Sequence, residues 1–138
     1  MTSVMCLGGE AMAQVCCLAV AIYFEARGEP LAGQYTVGQV VLNRVEDERY
    51  PNTVCDVVFE DKQFSFTHDG KPDRLPRQAT RASQRAIEVA SDLLYDVRVP
   101  TTSTHYHTVS VKPYWAPHYE MDTVIGKHIF YTNNTRDK

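Results

Sequence analysis

The sequence predicts an α+β fold, mainly helical with a small antiparallel sheet at its C-terminal end. Two observations carry this. Apolar residues recur at helical spacing in successive segments between Ala11 and Tyr95. From Thr101 onward the chain turns to Thr, Val, Tyr and His, with few helix formers. Helices first and a sheet last mark an α+β domain rather than an alternating one. With 138 residues the chain is the size of one domain, so a single domain over 1–138 is expected. Residues 1–10, which hold Gly8-Gly9, are expected to form a flexible arm.

The first helix is expected from Ala11 to Arg27. Leu18, Ala21, Ile22 and Glu25 share one face, and Val15, Ala19 and Val20 make the rest apolar too, which places this helix centrally. Gly28 and Pro30 stop it. A second helix, Leu31 to Val45, buries a stripe of Val37, Val40, Val41 and Val45. Pro51-Asn52 opens a short third helix through Phe59, with Val54, Val57 and Val58 inward. Gln63 to Pro76 reads as loop. A fourth helix is expected from Arg77 to Tyr95, on the period of Ala79, Ala82, Ala86, Val89, Ala90 and Leu93. Strands follow at Thr101 to Val111 and at Lys127 to Thr132, with Tyr114 and Trp115 between them.

Composition narrows the function. A net charge of −3 supplies no basic field for nucleic acid or anionic lipid, and no apolar stretch approaches the roughly 20 residues of a membrane span. No Lys or Arg precedes Val15, and Glu10 stands where a signal peptide carries positive charge, so no export signal is expected. The four cysteines, Cys6, Cys16, Cys17 and Cys55, form no paired CxxC knuckles. They read as buried free thiols, with a Cys17–Cys55 or Cys16–Cys55 bridge as the alternative.

Glu25 is the most informative residue. It continues the apolar stripe of a buried helix and lies in its last turn. Burial and the negative helix end both disfavour a carboxylate, which suits a proton donor to a glycosidic oxygen. The alternative is a glutamate tied to Arg27 or Arg44. Glu29 is a secondary candidate, but Gly28 and Pro30 take it off the helical face. His105-x-His107 in a strand would put two imidazoles on one side, for a metal or for a polar substrate. Phe64, Phe66, Tyr106, Tyr114, Trp115 and Tyr119 lie outside the helices, where aromatic faces suit sugar rings. No GxSxG, GxxxxGK[ST] or GxGxxG motif is present.

These residues resemble a known family. Tyr23-Phe24-Glu25-Ala26-Arg27-Gly28-Glu29-Pro30 is similar to the signature of the SleB-type cell wall hydrolases, which include the spore-cortex-lytic enzymes. The likeness continues through Gly33-Gln34 and through Val37 to Val45 (VGQVVLNRV). Tyr50 to Val58, Gln63-Phe64-Ser65, Thr104-His105-Tyr106-His107 and Pro113-x-Trp115-Ala116 also fit. The resemblance implies a lysozyme-like catalytic domain that cleaves peptidoglycan glycan strands between N-acetylmuramic acid and N-acetylglucosamine, as a lytic transglycosylase. It implies Glu25 as the general acid/base, with Gln63, Phe64, Ser65, His105, Tyr106, His107 and Trp115 on the sugar cleft. No cofactor or metal is expected, nor a nucleic-acid or membrane partner, and the chain is expected to be monomeric. A signal-free member suggests a phage endolysin held in the host cytosol before its release to the cell wall. Three alternatives stay open: a hydrolytic muramidase, a metal-dependent amidase using His105 and His107, and a non-catalytic wall-binding module.

Overall fold

The computed structural model of the chain describes residues 10–60 and 74–135. Helix α1 (Glu10–Ala26) is followed by α2 (Leu31–Glu46), the short α3 (Val54–Val58) and α4 (Arg81–Tyr95). Then come β1 (His105–Thr108), a 3-10 turn (Ala116–His118), β2 (Glu120–Ile125) and β3 (His128–Thr132). The expected arm at 1–10 and the expected loop from Gln63 lie almost wholly outside the described residues.

An apolar circumference forces α1 into the middle. It packs against α2, α3 and α4, and Leu18, Ala19, Ala21 and Ile22 are fully buried. From α2, Val37, Val40 and Val41 point into the core, and Val45 packs at its margin. Gly38 permits the close approach of α2. A Cβ there would collide with Leu93 Cδ1 and lie 3.1 Å from Ile22 Cδ1.

Local caps set the helix starts. Thr53 accepts from the Asp56 amide at 3.1 Å and opens α3. Thr80 and Ser83 form a capping box, so α4 begins at Arg81 rather than at Arg77.

The sheet is antiparallel in the order β1-β3-β2. β2 was not anticipated from the sequence. It is an edge strand, exposed at every position before Ile125, so it lacks the apolar alternation that marks a half-buried strand. A bulge between Met121 and Thr123 turns Asp122 toward Ser103 and Thr132, whose hydroxyls donate to Asp122 Oδ2. Phe130, fully buried, joins the sheet to Ala26, Val37 and Val40 of the helices.

The free-thiol expectation is corrected. Cys17 and Cys55 form a disulfide with Cα atoms 5.2 Å apart, and Cys16 is disulfide-bonded as well. The reason is spatial: α3 packs across the face of α1 that carries Cys17, which brings residues 38 apart in sequence to bridging distance. No described helix is long and apolar enough to cross a membrane.

Removing this crosslink frees a long loop in the unfolded chain. The Cys17→Ala/Cys55→Ala variant should lose about 2–4 kcal/mol of stability, read as a lower midpoint in guanidinium unfolding. An unchanged midpoint would mean that the bridge does not constrain the chain.

Candidate active site

The site is built where the sheet meets the polar side of α2. Three residues on that side, Gln39, Asn43 and Arg44, capture the segment that leads into β1. Gln39 Oε1 accepts from the Val99 amide at 3.0 Å, and its Nε2 donates to Asn43 Oδ1 at 3.1 Å. Asn43 Nδ2 donates to the carbonyls of Thr101 (3.0 Å) and Ser103 (2.8 Å). Arg44 Nε donates to the Thr104 carbonyl at 2.7 Å. Gln39 is fully buried and Arg44 nearly so, so each bond satisfies a group that would otherwise be costly to bury.

With the lead-in held, β1 delivers Tyr106 to Glu25. The Tyr106 hydroxyl donates to Glu25 Oε1 at 2.6 Å. Burial raises the Tyr106 pKa well above the usual phenol value, and the Glu25 charge and hydrogen bond add to this. Tyr106 is therefore a fixed proton-bearing donor to the carboxylate.

Glu29 serves a different neighbourhood. It lies in the turn after α1, and its Oε1 accepts from the Lys127 amide at 2.8 Å. His128 Nδ1 is 3.5 Å away, without hydrogen-bond geometry. His128 in turn packs edge-on against Tyr106, with ring centroids 5.0 Å apart. Glu29 thus docks the β2–β3 turn on the helices, beside the His128 ring that packs on Tyr106.

Tyr106 also lines a cleft of about 580 Å³, together with Arg44, Tyr50, Glu60, His105, Trp115 and Tyr119. Its walls are aromatic. Trp115 and Tyr119 stack at 5.4 Å, and the His105 ring lies 4.9 Å from Trp115 and 4.8 Å from Tyr119. The Arg44 guanidinium sits 5.0 Å from the centre of the Tyr50 ring. Such a cleft suits a ligand with apolar faces and polar edges.

Residues 28–131 match the Cell Wall Hydrolase family. The chain belongs to this family. Spore cortex-lytic enzymes are among the proteins it is similar to. That of Bacillus cereus is 34% identical over 117 residues, covering 82% of this chain and 42% of that protein. That of Bacillus subtilis is 34% identical over 127 residues, covering 89% and 39%. The chain therefore spans about two fifths of these curated relatives. Two solved structures share its fold. The catalytic domain of the germination-specific lytic transglycosylase SleB from Bacillus anthracis has a TM-score of 0.76 at 29% identity, covering 91% of this chain and 98% of that one. The catalytic domain of Bacillus cereus SleB has a TM-score of 0.71 at 28% identity, covering 91% and 94%. The α+β, SleB-like fold expected from the sequence is thus the fold of the family.

Of the expected site residues, His105, Tyr106, His107 and Trp115 line the cleft, and Glu25 joins them through the Tyr106 hydroxyl. Gln63, Phe64 and Ser65 lie outside the described residues. Asp122 faces the Ser103 and Thr132 hydroxyls instead of this cleft. His107 is engaged at both nitrogens: Nδ1 lies 2.7 Å from the Thr108 carbonyl and Nε2 lies 2.8 Å from the Tyr131 hydroxyl. A carbonyl can only accept, so Nδ1 carries the proton and Nε2 accepts from Tyr131. His105 Nδ1 contacts Thr104 Oγ1 at 3.0 Å. Among the described residues, no group of three His, Cys, Asp or Glu side chains is placed to hold a metal ion.

Sequence reasoning did not place Tyr50, Glu60 or Arg44 in this cleft. Tyr50 and Arg44 stood in the family-like blocks but carried no assigned role there. Glu60 has no such signal.

The buried imidazoles make stability depend on pH. Burial lowers the His105 pKa to about 4 from 6.5, helped by Arg44 and Arg49 and opposed by Asp47. Burial also lowers that of His128, against the pull of Glu29. Above pH 6.5 both states of the chain hold these rings neutral. As pH falls toward about 4, the unfolded chain takes up protons that the folded His105 refuses, so stability falls. The melting temperature should decline across this window, and His105→Phe should make the decline shallower. An equal decline in both proteins would show that His105 does not contribute.

Proposed function

We propose that the chain cleaves peptidoglycan glycan strands as a lytic transglycosylase, between N-acetylmuramic acid and N-acetylglucosamine, with Glu25 as general acid and then base. The observation that carries this reading is the 2.6 Å hydrogen bond from Tyr106 to Glu25 at the wall of an aromatic cleft. The activity named for the Bacillus anthracis SleB catalytic domain supports it.

The chemistry follows from one carboxyl group. Glu25 in its acid form gives its proton to the glycosidic oxygen as the bond to the muramic acid C1 breaks. The resulting glutamate removes the proton of that sugar's 6-hydroxyl while O6 closes on C1. The products are a free 4-hydroxyl on the departing sugar and a 1,6-anhydro end. Glu25 regains its proton, and no water is consumed. Tyr106 donates to Oε1 throughout. Its bond is strongest when Glu25 is ionised, so it stabilises the form created by the first step and holds it for the second. Trp115, Tyr119 and Tyr50 offer faces for the sugar rings, and His105, neutral at physiological pH, offers a polar edge. Glu25, Tyr106 and the cleft walls belong to one chain, which suits a monomeric enzyme.

We also propose that the enzyme acts at the wall, outside the reducing cytosol. The Cys17–Cys55 bridge supports this, because structural disulfides persist in oxidising compartments.

Glu25→Gln should fold normally and lose activity by about 10²–10⁴-fold, as is typical for a positioned acid/base. Tyr106→Phe should lower turnover less. Glycan fragments from the wild type, weighed by mass spectrometry, should carry anhydro ends, one water lighter than reducing ends. Reducing muramic acid ends throughout would make the enzyme a muramidase. Near wild-type digestion by Glu25→Gln would remove Glu25 from the mechanism.

A further inference from the structure

Glu60 is the unexplained group of the cleft. It follows α3 closely, and α3 is pinned to α1 by the Cys17–Cys55 bridge, so its position is set by the core rather than by a free loop. It lines the cleft together with Arg44, Tyr50 and Tyr106. One carboxylate oxygen, Oε1, is shut off from solvent and has no hydrogen-bond partner. A buried carboxylate oxygen left without a donor is destabilising, and native structures seldom keep one without a use. The nearby cation, Arg44, feels the Glu60 charge, while its Nε donates to the Thr104 carbonyl and its plane lies against Tyr50.

We propose that Glu60 is a specificity-determining residue of this cleft, accepting the hydrogen bond of an N-acetylamino group on the sugar beside the cleaved bond. The assignment rests on the glycan-cleaving reading above. An amide N–H is the donor that fits. Its acetyl methyl and the sugar's C–H face need apolar surfaces, and Tyr50 and Trp115 supply them in the same cleft. A carboxylate can only accept, so it selects for a donor at that point and against ether or carbonyl oxygen. Tyr106 links the two functions, with its hydroxyl on Glu25 and its ring in the wall that Glu60 shares. The sequence gives no hint of this role, since a glutamate two residues past a five-residue helix reads as ordinary solvated charge.

The test is the affinity of tri-N-acetylchitotriose, with cellotriose as the analogue bearing hydroxyls in place of the acetylamino groups. Wild type should prefer the acetylated sugar. Glu60→Ala should weaken its binding by about tenfold to a hundredfold, the worth of a hydrogen bond to a charged group, and should erase the preference. Glu60→Gln keeps a carbonyl acceptor and should retain most of the affinity. On peptidoglycan, Glu60→Ala should raise KM and leave kcat nearly unchanged. Its melting temperature should hold, because Oε1 makes no hydrogen bond for the substitution to break. Equal weakening of both sugars would assign Glu60 to a hydroxyl and overturn the proposal. So would unchanged binding, or a loss of binding that tracks a fall in melting temperature. Binding is read without cleavage. A wild type that fails to cut glycan but binds through Glu60 would therefore overturn only the activity, and one that cuts but ignores Glu60 would overturn only this inference.

Discussion

The polar seam on α2 is the constraint on which the rest of the site depends. Apart from the Gln39–Asn43 bond, the side chains of Gln39, Asn43 and Arg44 bind backbone, from Val99 to Thr104. That stretch has no regular secondary structure of its own to satisfy it. The seam replaces the missing ladder with side-chain amides and a guanidinium, and it does so inside the core. Because a buried polar group without a partner is costly, a slip of the segment by one residue would break every bond of the seam together. The register of β1, and with it the face on which Tyr106 appears, is locked by α2.

This explains why the Glu25–Tyr106 pair can be made from distant parts of the chain. Glu25 is held by the burial of α1, and Tyr106 arrives from a strand of only four residues. A strand so short has little pairing energy to define its position. It is located from one side by the α2 seam and from the other by β3, where Tyr106 opposes Phe130 and both rings meet the helices. Glu29 closes the third side through the β2–β3 turn.

What could be read beforehand follows the same physics. Apolar period revealed α1 and α2 and singled out Glu25, because burial leaves a pattern in sequence. The exposed β2 left none, and it was missed. The disulfide could not be chosen from the cysteines alone, since Cys16 and Cys17 are neighbours and only the packing of α3 decides which faces Cys55. The cleft was half legible. His105, Tyr106 and Trp115 stood out as aromatic and polar residues outside the helices, while Glu60 and Tyr50 depend on where a short helix and a turn come to rest. Arg44 was weighed as a charge partner for Glu25, and the Glu25 charge does act on it; its bond to the Thr104 carbonyl is a role that no charge pattern announces.

The turn at Gly126 has a consequence for how this scaffold can vary. A two-residue turn between antiparallel strands is ordinarily a place where a chain tolerates extra residues. Here the turn is a docking element. Gly126 has φ +56°, and a Cβ on it would come within 2.5 Å of Glu29 Oε1 and 2.8 Å of Pro30 Cδ. The neighbouring Lys127 amide is the donor that Glu29 receives. Lengthening the hairpin at this point would lift it off the α1–α2 elbow and loosen His128 behind Tyr106. Natural length variation, affinity tags and grafted loops belong instead around Ser110 to Lys112, an exposed turn that follows the Val109 amide bonded to the Lys127 carbonyl.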